Sequence, residues 1–166
     1  FEVDLDLPLS PLHRKQRRPV EAALYGHTVF IDGDFPLERQ RLSTCHEMGH
    51  YYLPLPEDLT FFREGCVVEP PERKWYESEA HQFAADVLMP PAFFREDMGG
   101  LPFGLESIDR LSERYLTSLE ATARHYVDLS LRSCALVIVE ALPHGATTQN
   151  PAGLKVRYCH KSHSFP

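Results

Sequence analysis

A chain of 166 residues is long enough to bury a core without disulfide staples, and it reads as one domain spanning 1–166. Its 43% hydrophobic and 25% charged residues exclude a disordered or collagen-like chain, and no run approaches the roughly 18 apolar residues needed to cross a bilayer. Seventeen basic against twenty-four acidic side chains leave a formal charge of −7, the wrong sign for holding a nucleic-acid backbone, so neither a nucleic acid nor a membrane is an expected partner.

Residues 1–26 carry several prolines and the basic run HRKQRR (13–18), and read as an irregular arm or an edge covering. The basic run is taken as a solvated segment, with contact to an acidic partner as the alternative. HTVFID (27–32) is rich in β-formers and ends at Asp32-Gly33-Asp34, which predicts a strand followed by a turn. A helix begins near Pro36, capped by Asp34 or its neighbour, and runs to about Tyr52 before Pro54 and Pro56 end it. Residues 54–71 read as a loop with room for a short strand at CVVE. A second helix follows Pro70-Pro71 and reaches Met89, with Trp75, Ala80, Ala84, Val87 and Leu88 as its apolar stripe. PPAFFRED adds one or two turns before Gly99-Gly100. Residues 105–130 read as two helices broken near Leu116 to Ser118, the second opened by Thr117 with Glu120 in the capping-box position. CALVIVEA (134–141) and GLKVRYC (153–159) are strand candidates that can pair as a hairpin. The domain thus divides into an arm at 1–26, a core at 27–100, a helical pair at 101–130, and a hairpin and tail at 131–166.

Cys45, Cys66, Cys134 and Cys159 lack C-x-x-C spacing, so neither a zinc ribbon nor a small disulfide framework is expected. Free thiols and the lack of a visible signal peptide fit a cytoplasmic protein. The chain opens at Phe1 without an initiator methionine, which points to upstream residues removed or left out.

The chemistry concentrates in RLSTCHEMGHYY (41–52). On a helix, positions i and i+4 share a face, so His46 and His50 can present two ring nitrogens to one ion. Glu47 lies about a hundred degrees round the helix, where it can reach a water on the metal without being a ligand, the place for a general base. With nine histidines in the chain, chance produces this pattern in roughly one such sequence in twenty-five, so the motif needs its context. That context is a segment independently read as helix, with Gly49 costing about 1 kcal/mol there unless another element must approach closely. A catalytic zinc needs a third protein ligand and an open position. Glu77 offers it, from a helix face shared with Ala80, His81, Ala84 and Leu88, whereas Glu79 points about two hundred degrees away and reads as solvated. His81, one turn on, is open to three readings: contact with a metal-bound group, an extra ligand, or a satisfied core histidine.

RLSTCHEMGHYYLP followed by ESEAHQFAADVLMP resembles the ImmA/IrrE family of bacterial zinc metallopeptidases. In that family a His-Glu-x-x-His helix is followed by a helix whose leading glutamate is the third ligand, which falls on Glu77 here, and FAADVLMP (83–90) follows the pattern closely. The similarity spans roughly residues 27–140 and is weakest over the first 26. His81 replaces the family's usual Asn or Asp, and Cys45 stands where alanine is common and reads as a buried thiol rather than a redox or metal-inhibiting group. The resemblance implies an α+β fold: a zincin-like core with two ligand-bearing helices on a small sheet, then a helix-turn-helix-like pair and a β-hairpin. It also implies an endopeptidase holding Zn²⁺, with Mn²⁺ or Fe²⁺ less favoured, through His46, His50 and Glu77, with Glu47 as base. The implied substrate is a helix-turn-helix repressor or antitoxin of a stress or mobile-element response.

Two readings compete with an enzyme: a metal-retaining regulatory module that binds a repressor or toxin without cutting it, and a purely structural site. His160-x-x-His163 could bind metal but reads as a polar tail. Tyr51, Tyr52 and His125 are candidates to stabilise an oxyanion, with packing or surface as the plainer reading. The absence of a Gly-rich phosphate loop and of G-x-S-x-G sets aside nucleotide and serine-hydrolase chemistry.

Overall fold

The computed structural model describes residues 2–4, 21–54, 71–142, 145 and 152–166. Among them, five helices and two small sheets give an α+β architecture, and the chain divides into two units, Phe1–Phe93 with Tyr115–Ser118 and Phe94–Arg114 with Leu119–Pro166. The CVVE segment, Cys66 and the HRKQRR run lie outside the described residues.

In the first unit, β1 (Glu2–Asp4), β2 (Ala22–Tyr25) and β3 (Thr28–Ile31) form one sheet in the order β1-β3-β2, with β1 parallel and β2 antiparallel to β3. Alternation along TVFI buries Val29 and Ile31 and makes β3 the central strand. The 1–26 stretch read as an irregular arm therefore contains two strands. Each has only three or four residues, too few to show a period of two. Tyr25 pairs with Thr28, so Gly26 and His27 form a two-residue hairpin turn, and the φ of +61° at Gly26 is one that glycine adopts without steric cost.

Helix α1 (Leu37–Tyr52) follows the turn at 32–34, but Asp34 does not cap it. The cap position is Pro36, whose carbonyl accepts the N–H groups of Arg39 and Gln40 at 2.9 and 3.0 Å, while the Asp34 N–H donates to Asp32 Oδ1 at 3.0 Å. The Gln40 side chain secures the entry by donating to the carbonyls of Gly33 and Phe35.

Helix α2 (Pro71–Leu88) packs along α1 through small residues. Ala80 and Ala84 are fully buried, and a Cβ placed on Gly49 would sit 3.0 Å from Ala80 Cα and 3.2 Å from its carbonyl oxygen. Gly49 is thus required by close helix approach, which offsets the roughly 1 kcal/mol that glycine costs inside a helix. Of the expected apolar stripe, Trp75 and Val87 are exposed; the buried line instead runs through Tyr76, Ala80 and Ala84, because the alanines set how near α1 can come. Arg41 of α1 donates to the carbonyls of Tyr115 and Leu116, satisfying the end of a helix where Leu116 adopts φ +51°.

Helix α3 (Pro91–Gly99) is fuller than the one or two turns expected. The second unit gathers Phe94, Ile108, Leu111, Ala123, Tyr126 and Val127 into a core, with α4 (Leu105–Tyr115), α5 (Leu119–Leu129), and the antiparallel pair β4 (Ala135–Ala141) and β5 (Leu154–Lys161). Acidic residues on α5 fasten β5: Glu120 accepts from Arg157 and from the Tyr158 hydroxyl, and Asp128 lies 2.6 Å from His160 Nε2. His160, read from sequence as part of a polar tail, belongs instead to a strand and pairs with α5.

The Gly49 contact generates a stability prediction. Gly49→Val must displace the Ala80 backbone and should destabilise the fold by about 1–2 kcal/mol, since overpacking of this kind costs about 1–3 kcal/mol and outweighs the few tenths that valine gains over glycine as a helix former. Chemical denaturation checks it, and an unchanged midpoint would mean that α1 and α2 can separate freely.

Candidate metal centre

The spacing on α1 places His46 and His50 one above the other, and the alanine-lined approach of α2 brings Glu77 to them. His46 Nε2 lies 3.1 Å from Glu77 Oε2, His50 Nε2 lies 3.3 Å from the same oxygen, and the two ring nitrogens are 2.9 Å apart. Among the described residues this is the one group of three or more metal-ligating side chains whose donor atoms converge. Glu79, half-buried on the same helix, is not part of it.

Two aromatic rings from α2 orient the two imidazoles. Tyr76 lies 4.7 Å from the His50 ring, centroid to centroid, and donates its hydroxyl to the His50 carbonyl at 2.7 Å. His81 lies 4.3 Å from the His46 ring. It is exposed, so it is not a core histidine, and it is not among the three convergent donors.

The donor set fits a cation. Ligand atoms 2.0–2.1 Å from a tetrahedral ion lie about 3.3 Å from one another, close to the 2.9–3.3 Å edges of this triangle. A 2.9 Å contact between two neutral ring nitrogens needs one donor and one acceptor, so at least one histidine must carry its proton on Nδ1. Both Nδ1 atoms are buried and have no hydrogen-bond partner among the described residues. Three lone-pair-bearing atoms facing one another with so few protons between them are what a divalent ion stabilises. The His46 ring, and after it the His50 ring, both within 3.3 Å of its oxygen, hold the Glu77 carboxyl well below the usual carboxylate range, which keeps it an anion.

Glu47 is set apart from this triangle. Burial, as the largest effect, pushes its carboxyl up, with the Glu77 charge adding to the rise, while His46, His50 and a hydrogen bond with the Leu24 backbone pull it down. The net rise suits a group that must accept a proton and then give it up. Helix α1 packs on β2 and β3, and the influence of the Leu24 backbone on Glu47 places the Glu47 face toward that hairpin.

Cys45 is a buried thiol, raised by burial with Arg41 opposing, and it is not one of the converging donors. His125 is buried against the Phe94 ring, 4.9 Å away, in the core of the second unit, so packing is its role there. Tyr52 contacts Phe83 at 6.3 Å, on the α2 side of its helix. Tyr51 turns toward the hairpin, its hydroxyl 2.8 Å from His27 Nδ1. Tyr76 and His27 were not singled out from the sequence. The only signal for Tyr76 was its place four residues before Ala80 on the buried line, and His27 carried none.

The profile of peptidase family M78, described as the IrrE N-terminal-like domain, matches residues 3–125. The chain therefore belongs to the ImmA/IrrE family, as the paired motifs suggested, and that family is one of metallopeptidases. No curated protein matches the chain. No helix among the described residues is long and apolar enough to cross a membrane.

Convergence sets the first test of the site. His46→Ala, His50→Ala and Glu77→Ala should each lower bound metal by at least about tenfold after dialysis, as loss of one of three ligands implies. Glu79→Ala should retain it, and elemental analysis showing the reverse for the two glutamates would break the assignment.

Proposed function

We propose that this chain is a zinc-dependent endopeptidase with a zincin-like His/His/Glu site. The observation that carries the reading is the pairing of a converged donor triangle with a separate, half-buried carboxylate on the adjoining face of the same helix. Two imidazoles and a carboxylate form a donor set suited to Zn²⁺, with Mn²⁺ and Fe²⁺ as less favoured occupants. His46, His50 and Glu77 would hold the ion, which when bound supplies Lewis acidity toward a peptide carbonyl and its attacking water.

The remaining chemistry belongs to the chain. Glu47 accepts a proton from the attacking water and delivers it to the leaving nitrogen as the C–N bond breaks. Its raised carboxyl makes both transfers feasible, because a strongly acidic carboxylate would take the proton poorly. Tyr76 and His81 keep the imidazole planes in place by ring contact. By family membership the proposed substrate is a helix-turn-helix repressor or antitoxin, cut in the cytoplasm in a stress or mobile-element response. The free thiols of Cys45, Cys134 and Cys159 are in keeping with that compartment.

Glu47→Gln keeps the side-chain volume and removes the base. It should retain full metal but lower cleavage of the repressor encoded beside it by at least about a hundredfold, measured by gel and elemental analysis together. Metal loss would make Glu47 a structural group, and full metal with unchanged cleavage would remove it from the mechanism. If wild type binds that repressor and does not cut it, the chain is a regulatory binding module.

A further inference from the structure

Strand β4 lies at the edge of a two-stranded sheet, and its sequence, Ala135-Leu136-Val137-Ile138-Val139-Glu140-Ala141, reads nearly the same in both directions. Its bonding side is fixed at both ends. The Cys134 carbonyl accepts the Ser162 N–H at 2.9 Å and the Leu142 N–H donates to the Gly153 carbonyl at 2.7 Å, so even-numbered residues turn their backbone groups toward β5. The bulge at Ile138/Val139 keeps this alternation, because the extra residue, Arg157, belongs to β5: Ile138 pairs with Tyr158 and Val139 with Val156. The N–H and C=O groups of Ala135, Val137, Val139 and Ala141 therefore point away from β5. Val137 and Val139 are 51% and 50% exposed, and Ala135 and Ala141 are exposed as well. The other edge differs. Strand β5 carries Lys155, Arg157, Lys161 and the bulge, the devices that keep an edge from pairing. Strand β4 has one charge, Glu140, and Lys155 holds it at 3.0 Å.

We propose that β4 is the contact surface for a second copy of this chain, paired antiparallel with itself about a two-fold axis at Ile138. That register sets Val137 opposite Val139 of the second copy and Ala135 opposite Ala141, and these are the residues whose backbone groups face outward and can exchange hydrogen bonds. Only Leu136 opposite Glu140 breaks the match, and Glu140 is already neutralised by Lys155. The near-palindrome selects the occupant: a strand that meets itself across a two-fold needs it, whereas an unrelated extended peptide could use the same backbone groups without it. The product is a four-stranded sheet in the order β5-β4-β4-β5. Both of its outer edges are the charged, bulged β5, so assembly stops at the dimer. One strand pair buries less than the roughly 1,600 Å² of a standard stable interface, so the dimer should dissociate in about the micromolar range.

Sedimentation of the full chain from about one to several hundred micromolar should show the mass rising from one copy to two and no further. Val137→Pro removes an outward N–H and leaves the β4–β5 ladder intact, so it should raise the dissociation constant by at least about tenfold. Cys159 pairs with Val137, so its backbone groups point out from the other edge, and Cys159→Pro should leave the dimer within about twofold. Ile138→Cys sets two thiols opposite each other at the axis, where Cα atoms about 4.5 Å apart allow a disulfide, and mild oxidation should link two copies that the wild type does not link. This cross-link decides the matter even where a proline variant does not fold. A wild type that stays monomeric at every concentration would overturn the proposal, as would growth past two copies. So would a dimer lost with Cys159→Pro and kept with Val137→Pro, or an Ile138→Cys chain that fails to cross-link.

Discussion

The close approach of α1 and α2 at Gly49 and Ala80 is the constraint on which the site depends. Two histidines on one helix can be aligned by sequence spacing alone, but the third donor arrives from another element. Its distance is fixed by whatever lies between the helices. With no side chain on Gly49 and only methyl groups at positions 80 and 84, the helices meet backbone to backbone, and Glu77 Oε2 comes within 3.3 Å of both ring nitrogens. A Cβ on Gly49 would meet the Ala80 backbone at 3.0 Å, so a side chain there would press α2, and Glu77 with it, away from α1.

The same packing explains how the imidazoles are oriented. Histidines that bind metals usually donate their second nitrogen to a carbonyl or carboxylate, which fixes the ring. Here neither Nδ1 has such a partner among the described residues, and the rings are instead held by Tyr76 and His81, both on α2. Orientation of the rings and convergence of the donors therefore come from one helix–helix contact. The opposite face of the site is built differently. Glu47 and Tyr51 look toward the β2–β3 hairpin, whose backbone and turn supply their partners. The donor triangle thus belongs to the helices, and the Glu47 carboxyl belongs to the helix–hairpin boundary.

How much of this was legible in the sequence follows from the range of each interaction. His46, Glu47 and His50 are set by helical spacing within five residues, and the helix itself was delimited by Pro36 and Pro54. Glu77 was reachable because its face also carries Ala80 and Ala84, residues small enough to mark a tight contact. The hairpin at the C-terminal end was plain from its β-branched runs. Other features depend on tertiary contact. Strands β1 and β2 are too short to show alternation, and β3 defines them by pairing. Trp75 and Val87 resemble core residues in a linear pattern, yet both are exposed, because the alanines set the line of packing. Asp34 looked like the helix cap, but its backbone was already committed to an Asx turn with Asp32. His27 could be linked to Tyr51 only once the hairpin had been folded against α1.

X-ray absorption at the zinc edge of the loaded chain tests the central claim most directly, that these three side chains converge on one ion. The account predicts about four nitrogen or oxygen scatterers at 2.0–2.1 Å, with the outer-shell pattern of two imidazoles and no sulfur. A sulfur scatterer near 2.3 Å would bring in Cys45 or another thiol, and a shell of oxygens without imidazole would place the ion elsewhere. Either result would contradict the assignment of His46, His50 and Glu77 as the metal centre.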